Sequence, residues 1–329
     1  MHRELKRNLD LEALRVVAIG FTIPFWLRRA KRLLPAAMLW IVVSLIVSMV
    51  VGGDGVFPLM AKALEAAAAA AFQYFNAYWL TCRPENTCGT LGAYWSLSLE
   101  NQFYFVLPIA AAVLTRRRLP VLFAVGFLAQ FVIVRNITQV ETLTPWVFRT
   151  DAICLGVLIA FWMGHRTYTD IEPRALANRG VGIAAFACLC IALAAFTHPS
   201  PWIGIQTGLV AVISAALVWV ASYDRGYLVS APWARALSGY IGARSYSVYL
   251  SHMFALYAVR DLFSRAGWFS SSHDAAIVVC FLVLTWILTE LSYRFVERPM
   301  LPKGSRRPGH SERVTIADAS SAGRTPHAR

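Results

Sequence analysis

Apolar residues gather along this chain into long unbroken runs, at 36 to 53, 94 to 114, 119 to 134, 147 to 163, 180 to 197, 202 to 222, 241 to 260 and 275 to 296. Most approach the roughly 20 residues that a helix needs to cross about 30 Å of hydrocarbon, and the run at 119 to 134 is the shortest. A membrane barrel would show short segments of alternating polarity, so helices, which satisfy their own backbone hydrogen bonds, are the expected elements. The pattern predicts an all-α, polytopic transmembrane helix bundle of about eight spans. One piece breaks it. Residues 11 to 27, LEALRVVAIGFTIPFWL, are apolar but interrupted by Arg15 and Pro24, and fall short of a crossing. Arg3, Lys6 and Arg7 before it and the basic run at 28 to 32 after it both carry the cytoplasmic signature. It is therefore expected to be an N-terminal apolar stub, lying in the interface or left from a longer hairpin. No small-residue cleavage site follows, so a removable signal peptide is not expected.

Composition agrees with a membrane protein. With 57% hydrophobic and 15% charged residues, a water-soluble fold would have too little polar surface to cover itself. The net charge of +13 would suggest nucleic acid in a soluble protein, but here its placement argues against that partner. Basic residues cluster in alternate connections: Arg28, Arg29, Lys31 and Arg32; Arg116 to Arg118; Arg166, Arg174 and Arg179; Arg225 and Arg235; Arg298, Lys303, Arg306 and Arg307. These are expected to face the cytoplasm, and the C-terminus with them. Residues 1 to 300 read as one transmembrane domain. Within it, 54 to 93 form the longest extracytoplasmic segment, with an Ala-rich helix at 61 to 80. Residues 301 to 329 read as a disordered cytoplasmic tail. Cys82 and Cys88, in the polar CRPENTC stretch on the oxidising side, are expected to form a disulfide, whereas Cys154, Cys188, Cys190 and Cys280 read as packing residues.

Ionisable groups inside apolar runs cost roughly 2.5 to 3.5 kcal/mol each at the bilayer centre, so each needs a reason. Glu100 sits among Trp95, Ser96, Ser98, Gln102 and Tyr104, which suits either a functional polar cavity or a polar network that packs helices. Arg149 and Asp151, two apart, are expected to point in different directions and pair with other helices. Ser245, Tyr249 and His252, four and three apart, form one stripe, with His252 read either as a helix-to-helix hydrogen bond or as a direct participant. Glu290, Arg294 and Glu297 share a face and read as an anchor at the end of the last span. Arg28 and Arg32 share a face of the basic run, which suits either topogenic anchoring or a phosphate-bearing cofactor. No GxSxG, HExxH, Walker A loop or metal-spaced Cys/His cluster occurs, which argues against a conventional hydrolase, an ATPase or a metal site.

Several stretches together resemble membrane acyltransferase family 3, bacterial proteins that modify cell-surface sugars. LDLEALRVVAI, FWLRRAKRLLPA, YWSLSLENQFYFVLP, FRTDAICLGVLIA, IGARSYSVYLSH and LSYRFVERPM occur in the family's order between residues 9 and 300. The resemblance implies a multi-pass protein of the bacterial inner membrane. It implies an enzyme that transfers an acyl group, usually acetyl, from cytosolic acyl-CoA to a hydroxyl of a surface glycan or lipid-linked saccharide. Carried over by position, Arg28, Arg29 and Arg32 would hold the phosphates of CoA, while Glu100, Arg149 and Asp151 would belong to the polar cavity. The family places a histidine about ten residues after the arginine matched by Arg15; here that place reads FTIPFW, and a glycine- and phenylalanine-rich second span is missing as well. The resemblance thus implies an internal loss after residue 19, with His252 the in-span histidine that would substitute. Asn101 also stands where the family often has an acidic residue. The alternative is a non-catalytic remnant or a scaffold of a glycan-assembly complex. A small-solute transporter fits less well, since neither inverted repeats nor paired broken helices are visible. The expressed protein is expected in the membrane fraction, released by detergent and not by salt; recovery in detergent-free buffer would refute the whole assignment.

Overall fold

The computed structural model describes residues 9–53, 56–85, 87–115, 117–131, 149–197, 205–268 and 273–301, with side chains from Trp26 onward. Every regular element among them is helical. In order these are α1 (Leu9–Val51), α2 (Met60–Ala71), α3 (Phe75–Cys82), a 3-10 turn (Gly89–Leu91), α4 (Tyr94–Val113), α5 (Arg118–Phe131), α6 (Asp151–Met163), α7 (Arg166–Asp170), a second 3-10 turn (Arg174–Ala177), α8 (Arg179–Thr197), α9 (Gln206–Ser222), α10 (Pro232–Arg265), α11 (Asp274–Ser292), a π-helical turn (Tyr293–Glu297) and the short α12 (Arg298–Met300). The expected tail falls beyond Leu301 and outside the described residues.

Where they are described, the expected apolar runs fall on helices, and among the described residues three stretches are long and apolar enough to cross a membrane: Trp26–Val51, Arg179–Phe196 and Asp274–Met300. Arg118–Phe131, Asp151–Met163 and Gln206–Ser222 are apolar but shorter. The expectation of about eight spans is therefore not confirmed: three of the described stretches qualify on length and composition. Helices α4 and α10 fall outside that class, and both carry strongly polar residues in mid-helix, such as Glu100, Asn101 and Gln102 in the one and Arg244 and His252 in the other.

The N-terminal expectation needs correcting. The stub and the first span are one helix, α1, and the basic run at 28 to 32 lies inside it and not in a loop. Arg, Lys, Leu and Ala are strong helix formers, so charge alone does not end a helix, and α1 runs through Pro24 despite the backbone donor it lacks. What ends α1 is Gly52 and Gly53. The Gly52 N–H donates to the Ser48 carbonyl (2.9 Å) and Gly53 takes φ +91°, the left-handed stop that glycine adopts without a Cβ clash. The Ala-rich helix is likewise two helices. Gln73, at φ +59°, separates α2 from α3, and its carbonyl accepts from Gln102 Nε2 at 2.9 Å.

Packing is inverted relative to a soluble protein. Along α11, Thr285, Thr289 and Ser292 are buried, while Val279, Leu282, Val283, Trp286 and Ile287 are exposed. The buried hydroxyls meet those of α10: Ser251 with Thr289 at 3.1 Å and Ser247 with Ser292 at 3.5 Å. Small residues let the two backbones approach, and outward apolar side chains suit hydrocarbon. Helix α1 follows the same rule, burying Ala36, Ala37, Trp40, Ser44 and Ser48 and exposing Val42, Ile46 and Met49. One apolar core joins α1, α2, α3, the first half of α4 and Leu250 of α10; another joins Phe103 of α4 to Leu119, Phe123 and Cys154 of α5 and α6. Of the cysteines, Cys82 and Cys88 form the expected disulfide and Cys154 is buried. Cys188, Cys190 and Cys280 are exposed on apolar helices, so they do not pack inside the chain as expected.

Two connections expected on the same membrane side meet through Glu172. It accepts from the Tyr227 hydroxyl (2.7 Å) and lies 3.3 Å from Arg225 and 3.6 Å from Arg174. The Tyr227 hydrogen bond first, then the two guanidinium groups, hold its carboxyl below the usual range. A depressed folded value stabilises the fold above the unfolded value of about 4.3 and is lost as pH falls through the folded one. Tyr227→Phe should accordingly lower the thermal midpoint at neutral pH, with the gap to wild type closing below about pH 4.3. For the α10–α11 seam, Ser251→Leu should cost about 1–3 kcal/mol by overpacking. The outward Val283→Ala should stay within about 0.5 kcal/mol; thermal unfolding in detergent reads both.

Candidate functional site

Helices far apart in sequence converge near the middle of the chain's longest helix. Arg29 and Leu33 of α1, Ser96, Leu97 and Glu100 of α4, and Ser245, Tyr246 and Tyr249 of α10 line a cavity of about 230 Å³. Helical spacing supplies the wall: Arg29 and Leu33, Ser96 and Glu100, and Ser245 and Tyr249 are each four apart, so each pair shares a face.

Arg29 is the centre of the polar arrangement. Its guanidinium lies over the Tyr104 ring, 3.6 Å from the centroid, and donates to the Tyr104 hydroxyl at 2.5 Å. Glu100 approaches it at 3.6 Å, with 48% of the Glu100 side chain exposed to the cavity mouth. The Arg29 Nε is buried and has no hydrogen-bond partner among the described residues. The Arg29 guanidinium lines the cavity together with Glu100, and a guanidinium suits a negatively charged or carbonyl oxygen.

Helix α10 closes the opposite wall. The Tyr246 hydroxyl donates to the Leu33 carbonyl at 2.9 Å, and the Tyr249 hydroxyl donates to the Ala93 carbonyl while meeting Ser96 Oγ. His252 does not line the cavity; it lies one turn beyond, with Nδ1 2.7 Å from the Tyr249 carbonyl. A carbonyl only accepts, so Nδ1 is the donor in this contact, and Nε2 is the ring nitrogen left for another partner.

The other expected residues divide. Arg32 reaches Glu297 at 4.0 Å, and Glu297, fully buried, accepts from Ser247 at 2.8 Å. Arg28 is exposed and does not line the cavity, so the three arginines do not act as one group. Arg149 and Asp151 pair with each other at 3.6 Å, contrary to the expectation that they turn apart. Helix α6 begins at Asp151, so Arg149 precedes it in non-helical chain and the helical spacing rule does not apply. They too are outside the cavity lining. Glu290, Arg294 and Glu297 do not share one face. Glu290 binds Arg294 and takes Arg244 from α10 at 2.6 and 3.3 Å, whereas the π-helical turn rotates Glu297 inward. Asn101 donates to Gln73 at 2.6 Å and belongs to the α2–α3 junction. Among the described residues, no three His, Cys, Asp or Glu side chains are grouped to hold a metal.

Sequence reasoning gave no role to Tyr246, and it took Glu297 for part of a surface anchor. Tyr246 was readable as the neighbour of Ser245 in a polar stretch, but the π turn that buries Glu297 leaves no mark in residue spacing.

Residues 20–290 match a family profile described as an acyltransferase domain. The chain is 27% identical over 304 residues to the O-acetyltransferase OatA of Staphylococcus aureus strain NCTC 8325 / PS 47, covering 86% of this chain and 48% of that protein. The OatA of strain COL gives the same figures. The chain thus spans about half the length of the curated relatives it matches. No solved structure matches it.

Proposed function

The chain belongs to the membrane acyltransferase family 3, and on that footing we propose that it moves an acyl group, acetyl in the simplest case, from acyl-CoA to a hydroxyl of a cell-surface glycan or lipid-linked saccharide. The observation that carries this reading is the Arg29 guanidinium beside Glu100 in the α1–α4–α10 cavity. At about 230 Å³ the cavity is smaller than the roughly 300 Å³ at which pockets begin to enclose a drug-sized ligand, so it admits the thioester end of CoA and leaves the nucleotide outside. Arg28, Lys31 and Arg32 are exposed along the same stretch of α1, where they can meet the phosphates. The donor enters from the cytoplasm of a bacterial cell, and the C-terminus lies on that side.

In the proposed reaction the acceptor oxygen attacks the thioester carbonyl carbon and gives its proton to a base. The carbon–sulfur bond breaks, and the leaving thiolate takes up a proton. Arg29 offers its guanidinium to the oxygen on which negative charge gathers. Glu100 serves as the base at the cavity, and His252 Nε2 is the next proton acceptor along α10 toward the opposite face. Arg149 and Asp151 are assigned a supporting role, holding the start of α6 where Thr150 is bonded to Gln130.

One observation favours a second reading. FTIPFW holds no histidine where the family has one, which suits a chain that binds CoA without transferring from it. Purified protein in lipid nanodiscs separates the two. Acetyl-CoA turnover that falls about 10²- to 10⁴-fold in Glu100→Gln or His252→Ala, with a raised KM for acetyl-CoA in Arg29→Gln, supports the enzyme. CoA binding without turnover, lost in Arg29→Gln, supports the non-catalytic reading; neither turnover nor binding overturns both.

A further inference from the structure

The reaction described above leaves a fully buried carboxylate, that of Glu297, without a task. Glu297 ends the π-helical turn Tyr293–Glu297, which rotates it inward and away from the Glu290–Arg294 pair. A single π turn is rare and recurs at functional sites.

The carboxylate closes a chain of polar contacts that starts and ends on α1. Trp40 of α1 donates to Ser292 Oγ at 3.3 Å, and Ser247 of α10 lies 3.5 Å from Ser292 and donates to Glu297 Oε2 at 2.8 Å. Glu297 Oε1 then lies 4.0 Å from Nη2 of Arg32, back on α1. Arg32, Ala36 and Trp40 step by four and so share one face of that helix. Arg244 also acts electrostatically on Glu297, but Glu290 takes its donors at 2.6 and 3.3 Å.

The two partners differ in freedom. Glu297 is enclosed and tied to Ser247, whereas 52% of the Arg32 side chain is exposed. A guanidinium carries five donors, so one edge turned to Glu297 leaves the others facing outward. An anion beside a cation weakens its pull on a second anion, but a pair at 4.0 Å with one member half in water is loose. Arg32 therefore keeps its attraction for an anion and loses its freedom to swing away, and a fork held in place is what two-point contact with a phosphate needs.

Tyr246 stands between this pair and the cavity. It lines the cavity and donates to the Leu33 carbonyl, and Glu297, Arg29, Glu100 and Arg32 all act on it electrostatically. Arg29 and Arg32, three apart, are neighbours on the α1 surface.

We propose that Glu297 is a positioning residue for the donor: it holds the Arg32 guanidinium ready beside the cavity to receive a phosphate oxygen of acyl-CoA, while Arg29 addresses the thioester. The proposal rests on the acyl-transfer reading, and its test is arranged to fail separately from it. In nanodiscs, KM is measured for acetyl-CoA and for S-acetylpantetheine, the same thioester without phosphates. Glu297→Gln keeps the size of the side chain and an oxygen for Ser247. It should raise KM for acetyl-CoA about three- to tenfold, the cost of ordering one long side chain at binding, and change kcat and the KM for S-acetylpantetheine much less. Arg29→Gln should instead raise KM for both donors. In an Arg32→Gln background, Glu297→Gln should add nothing, because the group it positions is already gone. Equal effects on both donors, an undiminished effect in the Arg32→Gln background, or no effect overturns the proposal while leaving acyl transfer standing. Should Glu297→Gln fail to fold, Ser247→Ala, which unties the carboxylate, is judged by the same three criteria. If no acetyl-CoA is turned over, equilibrium binding of CoA and of pantetheine decides. Weaker binding of CoA alone in Glu297→Gln upholds the proposal, and unchanged CoA binding, or none in the wild type, overturns it.

Discussion

A polar side chain on a helix that faces hydrocarbon must find its partner on another helix, because no water is at hand to satisfy it. That constraint orders this molecule. The α10–α11 seam is held by serine and threonine hydroxyls, with the aliphatic side chains turned outward. Trp40 of α1 donates to Ser292 at the same seam, and Tyr94 of α4 donates to the Ala37 carbonyl, so α1 and α4 are drawn against it. The Arg29 cavity is what remains where α1, α4 and α10 meet.

Helix α4 carries much of the geometry because it belongs to both cores. Its first half packs with α1, α3 and α10 through Tyr94 and Leu97, and from Phe103 onward it packs with α5 and α6. Glu100, Asn101 and Gln102 stand at the handover. Consecutive residues on a helix point about 100° apart, so one turns to Arg29, the next to Gln73 and the third to Asn76. The carboxylate is thus held beside the guanidinium by a helix whose rotation is fixed by amide hydrogen bonds on its other faces.

Much of this was legible in the residues, for a physical reason. Apolar runs and the exclusion of open strands from hydrocarbon fix an all-helical chain, and i, i+4 spacing puts Glu100 with Tyr104 and Ser245 with Tyr249. The pairing of Cys82 with Cys88 follows from their short polar loop. What misled were rules applied outside their domain. The basic run at 28 to 32 suggested a loop because charge marks membrane sides, but those residues are also good helix formers and α1 runs through them. The separation of Arg149 from Asp151 was judged on helical spacing, though only the second is in a helix. The burial of Glu297 depends on a π turn, and the break at Gln73 on a left-handed residue held by a distant glutamine; neither has a local sequence signal.

The placement of the thiols bears on how the chain matures. Six cysteines allow roughly 15 complete pairings, and nascent membrane proteins pass through an oxidising compartment boundary while still unpacked. Here Cys154 is enclosed, and Cys188, Cys190 and Cys280 look out from apolar helices. The bond between Cys82 and Cys88, six residues apart, closes within its own loop and leaves the other four thiols on helices.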